Sequence, residues 1–146
     1  MKIIDRLYES YLQYQFRRKC KNAHVILDKT SAVGRECMFE GNNYVAGELH
    51  RCQFGYGSYV HKGSALSYVK VGRFCAIGEN VNIRLFQHPT HMVSISPCFY
   101  RKEHRLETFV DENNYEDLKT IDGEYSVIIG NDVWIGQGVS IMSGIT

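Results

Sequence analysis

The fold is decided by two stretches read together: Val71-Gly72-Arg73-Phe74-Cys75-Ala76, Ile77-Gly78-Glu79-Asn80-Val81-Asn82 and Ile83, then Ile129-Gly130-Asn131-Asp132-Val133-Trp134, Ile135-Gly136-Gln137-Gly138-Val139-Ser140 and Ile141-Met142-Ser143-Gly144-Ile145-Thr146. Each unit of six begins with an aliphatic residue, most often followed by Gly, and carries a small or aliphatic residue four positions after the first. Looser copies start at Val33-Gly34, Phe39, Val45, Phe54-Gly55, Val60 and Leu66. A period of six fits short strands, in which alternate side chains point inward and the residue between them points out. Gly or a small polar residue then lets the backbone turn a tight corner. Three flat faces close one coil of about 18 residues, and coils stack at roughly 4.8 Å with their inward aliphatics in ladders.

The pattern therefore predicts an all-β chain, a parallel β-helix of hexapeptide repeats spanning residues 1–146 as one domain. Coils occupy 23–83 and resume over 127–146. Two places break step: a five-residue spacing between Leu66 and Val71, and a loose stretch at Gly47–Gln53. Residues 2–20 follow a helical pattern, with Ile3, Ile4, Leu7, Tyr8, Tyr11 and Leu12 on one face. They are expected to form an amphipathic helix over the open end of the first coil, since solenoids need caps. The basic tail, Arg17, Arg18, Lys19 and Lys21, offers the alternative of an anionic surface.

Composition narrows the function classes. The 146 residues are 44% hydrophobic and 23% charged, with a formal net charge of +1. That is a globular profile, without the concentrated basic face of a nucleic-acid binder. No apolar run approaches the roughly 20 residues that a membrane span requires, and the N-terminus lacks the pattern of a signal peptide. A cytoplasmic location is the expectation. Cys20, Cys37, Cys52, Cys75 and Cys98 form an odd set without a C-x-x-C pair, which suits reduced thiols. Cys37 and Cys75 occupy positions where the repeat wants a small buried side chain.

The long interruption, residues 84–126, holds both prolines, Pro89 and Pro97. An insertion of this length in a regular solenoid is usually functional. It opens with Phe86-Gln87-His88-Pro89-Thr90-His91-Met92-Val93-Ser94-Ile95-Ser96-Pro97-Cys98-Phe99-Tyr100. The order of coil, His-Pro-Thr-His loop and returning IGNDVWIGQGVSIMSG coil resembles the xenobiotic and polysaccharide O-acetyltransferase branch of the hexapeptide-repeat acyltransferases, over about residues 54–146.

That resemblance implies a left-handed winding of the β-helix, acetyl-CoA as co-substrate, no metal, and a homotrimer with the cofactor in the groove between two β-helices. By motif position it makes His88 the general base, taking a proton from an acceptor hydroxyl that attacks the thioester directly. Imidazole suits that work because its ordinary pKa of about 6.5 leaves a neutral base at physiological pH. His91 is the competing base or a residue of the acceptor pocket, with Phe86, Phe99 and Tyr100 available to stack on a sugar ring. Asn131, Asp132 and Trp134 would lie near the cofactor groove. Gly136 and Gly138 would admit close approach of the cofactor, or serve corner geometry alone. His24, His50, His61 and His104 read as surface or corner residues.

The expected activity is acetyl transfer to a hydroxyl of a sugar or polysaccharide precursor. Competing expectations are a chloramphenicol-type xenobiotic acceptor, a zinc enzyme using His61, His88 and His91 across an interface, and an inactive scaffold. The repeat runs to Thr146 with no cap, the pattern expected of a C-terminally truncated chain. The branch's later coils would hold much of the pantetheine and adenine.

Overall fold

Stacking of short strands at a fixed period organises the computed structural model, which describes residues 3–116 and 118–146. Helix α1 (Ile3–Asn22) leads into a first coil of β1 (Ile26–Leu27), β2 (Ala32–Val33) and β3 (Met38–Phe39). The second coil is β4 (Tyr44–Val45), β5 (Glu48–His50) and β6 (Gln53–Phe54), and the third is β7 (Tyr59–Val60), β8 (Ala65–Ser67) and β9 (Val69–Val71). The next coil places β10 (Ala76–Ile77) and β11 (Asn82–Leu85) before the loop and β12 (Val127–Ile129) after it. Strands β13 (Trp134–Ile135) and β14 (Ser140–Met142) follow.

Strands three apart in sequence pair in parallel, giving one sheet of β1-β4-β7-β10-β13, a second of β2-β5-β8-β11-β14 and a third of β3-β6-β9-β12. This is the expected parallel β-helix. Register partners on the first sheet lie 18 residues apart (Ile26 and Tyr44), then 15 (Tyr44 and Tyr59), then 17 (Tyr59 and Ala76). Both irregular stretches of the sequence have a local cause. Arg51 and Tyr68 turn the corner between the second and third sheets with φ of 49° and 58°. Regular units also carry a left-handed residue, at Phe74, Asn80 and Asp132, so these two are shorter because fewer residues make the corner. Tyr68 alone separates β8 from β9.

The core is the expected ladder. Val45, Val60 and Ile77 stack along the first sheet, Leu49, Leu66 and Ile83 along the second, and Phe54, Val71 and Ile129 along the third, all buried. Cys37 and Cys75 belong to the same core, as the repeat predicts. Buried serines complete the corners: Ser58 Oγ donates to Gly72 O at 2.6 Å, and Ser64 Oγ donates to Gly78 O at 2.8 Å. Each thereby satisfies a carbonyl one coil above.

Coil spacing explains the Gly that follows the inward aliphatic. A Cβ at Gly72 would stand 2.4 Å from Gly130 O, and one at Gly55 would stand 2.5 Å from the Gly72 carbonyl carbon. Backbone of the next coil occupies the space a side chain would need.

The helical face is corrected. Leu7, Tyr8 and Tyr11 are exposed, and the side chains of Ile3 and Ile4 fall outside what is described. Partial burial instead follows Leu12 and Phe16, ending at buried Cys20, a spacing of four that presents one face. These residues, in the C-terminal half of α1, line a cleft against Cys37, Met38 and Phe39 of the first coil.

Candidate functional site

The site forms where β11 ends and the chain leaves the coil. Pro89 is buried and anchors the exit, which leaves the His88 ring exposed at the foot of the loop. Inside the loop a short 3-10 turn at Pro97–Phe99 carries buried Cys98 and delivers Tyr100, which is fully buried. Proline at the first position of that turn removes an N–H that would lack a partner. The Tyr100 hydroxyl lies 3.1 Å from His88 Nδ1, within hydrogen-bond reach. One ring nitrogen of His88 is thus held by a buried phenol.

The distal part of the loop folds back on this turn. Phe109 N–H donates to Cys98 O at 2.8 Å, and Asn114 N–H donates to Tyr100 O at 2.9 Å. The second bond brings Tyr115 edge-on to Tyr100, with ring centroids 5.5 Å apart. His91 meets the same Tyr115 at 6.0 Å. His88, Tyr100, Tyr115 and His91 therefore form one cluster. Tyr115 is the member that sequence reasoning missed; it stands in an acidic stretch without period, and its only signal is an aromatic among Glu112, Asn113, Asn114 and Glu116.

The other loop aromatics take different places. Phe99 is half exposed and tilts against Phe109 at 5.2 Å, so it forms an aromatic patch beside the buried turn. Phe86 lines a cavity of about 250 Å³ together with Tyr68, Ile83, Leu118, Val127 and Ile141. This cavity lies where a normal coil would place the corner between its second and third faces. With the loop led outward there, Ile83 and Val127 of the core form its floor. The return is tied down by Ser126 N–H to Tyr68 O at 2.7 Å and by a bond from the Gln87 amide to Ser143 O.

The residues assigned to the cofactor are gathered separately, around β13. Trp134 projects outward from the first sheet and is 79% exposed, at the end of a row formed by Ile26, Tyr44, Tyr59 and Ala76. Asn131 turns the preceding corner, where its Oδ1 accepts the Arg73 N–H at 2.8 Å, and Asp132 holds a φ of 57°. Gly138 has a φ of +75° and stacks on Glu79 through its N–H, so corner geometry accounts for it. Gly136 differs. Its φ lies outside the left-handed region and a Cβ there would meet nothing within 4 Å. Gly130 and Gly138 are equally open, whereas Gly55, Gly72 and Gly78 each face the backbone of the following coil.

The three histidines of the zinc expectation do not share a locus within the chain. His61 packs edge-on against Tyr59 and Tyr44, whereas His88 and His91 belong to the Tyr100–Tyr115 cluster. Among the described residues no group of three or more His, Cys, Asp or Glu side chains could hold a metal ion, and no helix is long and apolar enough to cross a membrane. Compared with protein-family models, with curated proteins and with solved structures, the chain matches none.

Proposed function

We propose that the chain is an O-acetyltransferase that moves the acetyl group of acetyl-CoA to a hydroxyl of a sugar or polysaccharide precursor, with His88 as general base. The observation that carries this reading is the His88–Tyr100 contact at the root of the inserted loop: an exposed imidazole with one nitrogen held by a buried hydroxyl. When Nδ1 carries the proton and donates it to Tyr100, Nε2 presents its lone pair outward. In the proposed reaction Nε2 takes the acceptor's proton while its oxygen attacks the thioester carbonyl. The tetrahedral intermediate collapses, the C–S bond breaks, and the coenzyme A sulfur leaves with the proton returned by the imidazolium. No acyl-enzyme is needed, in keeping with the burial of Cys98.

His91 and Tyr115 supply a rim for the acceptor, and aromatic faces of this kind suit the apolar faces of sugar rings. Exposed Trp134 supports a cofactor groove completed by a second β-helix, and with it a homotrimer. Coenzyme A release from acetyl-CoA, followed across a panel of sugars, oligosaccharides and chloramphenicol, tests the reading. His88→Ala is expected to lower turnover by about 10²–10⁴-fold while the circular dichroism spectrum stays unchanged. Unaltered turnover in that variant removes His88 from the base role. Acetylation of chloramphenicol but of no sugar replaces the acceptor class. A wild-type chain that neither binds coenzyme A nor transfers acetyl overturns the enzyme reading.

A further inference from the structure

At the opposite end of the solenoid from the loop, a second group of reactive side chains lines the first two coils. Met38 and Gln53 are register partners, so Cys37 and Cys52 are direct neighbours in adjacent coils. The Met38 N–H donates to Cys52 O at 2.9 Å and fixes that pairing. Adjacent strands lie roughly 4.8 Å apart, inside the roughly 4.4–6.8 Å of Cα separation that a disulfide spans. The Cys52 thiol donates to His50 O at 3.3 Å and to Leu66 O at 3.4 Å, and Cys37 lies close enough to Cys20 of α1 to act on it electrostatically. All three are buried and all five cysteines are free thiols. A cleft of about 470 Å³ between α1 and the first coil is lined by Cys20 and Cys37, with Lys19 and Arg35 also on its walls.

We propose that Cys37 is a peroxide-reactive thiol whose sulfenic acid is resolved by Cys52, closing a reversible disulfide between the first and second coils.

The two sulfurs are differentiated by their surroundings. The neighbouring Cys52, through its thiol and its backbone N–H, holds the Cys37 thiol below its ordinary value, against burial and the Glu36 carboxylate, which act in the other direction. Burial pushes Cys52 well up, and the closeness of Cys37 adds to that. Burial also raises Cys20. The thiolate is the nucleophile, and Cys37, which lines the cleft where Cys52 does not, is the attacking sulfur. Thiolate attack on hydrogen peroxide breaks the O–O bond, forms the sulfenic acid and releases hydroxide, which takes up a proton as water. The Cys52 sulfur then attacks the Cys37 sulfur, the S–O bond breaks, and a second water leaves with the Cys52 proton. Two thiols lose two electrons and one peroxide gains them.

Treatment of the full chain with equimolar hydrogen peroxide, followed by denaturation and alkylation, tests the proposal. Two of the five thiols should be lost, the intact mass should fall by two hydrogens, and peptide mapping should give a Cys37–Cys52 crosslink that dithiothreitol reverses. Cys52→Ser should stop the reaction at a sulfenic acid that dimedone captures on Cys37, and Cys37→Ser should give neither product. A crosslink from Cys37 to Cys20, oxidation confined to Cys98, or retention of all five thiols overturns it. The wild-type peptide map decides the crosslink by itself if a serine variant does not fold.

Discussion

The coils and the inserted loop hold themselves together in different ways. In the coils the inward aliphatics stack on like neighbours, as Val60 does between Val45 and Ile77, and these three are fully buried. In the loop, burial falls on a few residues, Pro89, Cys98 and Tyr100, with Tyr125 and Ser126 at the return, and no ladder surrounds them. The coils are redundant and cooperative between nearest neighbours. The loop depends on single anchors, which frees its surface for chemistry and leaves it sensitive to single changes. The cluster around His88 exists because one anchor, Tyr100, is shared by the loop's packing and by the imidazole.

The largest way to break this contrast lies in the ladder. Phe54 is fully buried and packs on Phe39 with ring centroids 5.8 Å apart. Phe54→Ala should cost about 3–5 kcal/mol in a denaturant melt. Because the coils transmit the loss, the whole far-ultraviolet signal should shift as one transition. Tyr100→Ala should instead release the loop while the coil signal keeps its midpoint. Equal shifts in the two variants would show that the loop is part of the same cooperative unit.

A smaller and sharper comparison uses two glycines at the same place in the repeat. At Gly72 an added Cβ would stand 2.4 Å from Gly130 O, whereas at Gly136 it would meet nothing within 4 Å. Gly72→Ala should destabilise by about 1–3 kcal/mol through overpacking of the coil above. Gly136→Ala should stay within about 0.5 kcal/mol. If coenzyme A approaches Gly136 as the resemblance implies, that second variant should nevertheless weaken its binding, read by calorimetry. Binding equal to wild type would place the cofactor elsewhere.

Much of this was legible in the residues, and what was not has physical causes. The six-residue aliphatic period marked the ladder, the burial of Cys37 and Cys75, and the limits of the loop, because it reports inward-facing positions directly. It marked the short corner at Tyr68 as a five-residue spacing but not the left-handed backbone there, since nothing in that side chain's type advertises it. The face of α1 was misjudged because helical spacing places Leu7, Tyr8 and Tyr11 on one stripe. It does not say how far along the helix the coil reaches. The His88 partner was the hardest to see. Tyr100 and Tyr115 meet through fold-back hydrogen bonds at Phe109 and Asn114, and backbone bonds within an aperiodic loop leave no pattern.

The shared anchor yields a prediction of intermediate size. Tyr100→Phe keeps the buried ring and its contact with Tyr115 but removes the hydroxyl beside His88 Nδ1. Stability should change by about 1 kcal/mol or less, the net worth of one hydrogen bond. Acetyl transfer, if His88 is the base, should fall by about tenfold through kcat, equivalent to about 1.4 kcal/mol of lost orientation. A change confined to KM would mean that the hydroxyl serves acceptor binding and leaves the imidazole's orientation to its other neighbours.

The smallest effect belongs to the coil surface, where ion pairs join successive turns. Glu40 of the first coil accepts from Arg73 Nε at 2.7 Å and from the Tyr56 N–H at 3.0 Å, so it ties together three coils. The Arg73 bond, with that from Tyr56, holds its carboxyl below the ordinary value of 4.5. A carboxyl depressed in the folded state contributes stability that is fully present above its unfolded value and is lost as pH falls through the folded one. Glu40→Gln should therefore lower the melting temperature slightly at neutral pH, and the difference from wild type should vanish on acidification below that window. Because both partners are solvent-exposed, salt should shrink the neutral-pH difference as well. A gap that survives both acid and salt would mean that Glu40 acts by its acceptor geometry toward the Tyr56 N–H and not by its charge. That outcome would extend to the surface what the buried serines already do inside, where neutral hydrogen bonds between coils, not ion pairs, hold the stack in register.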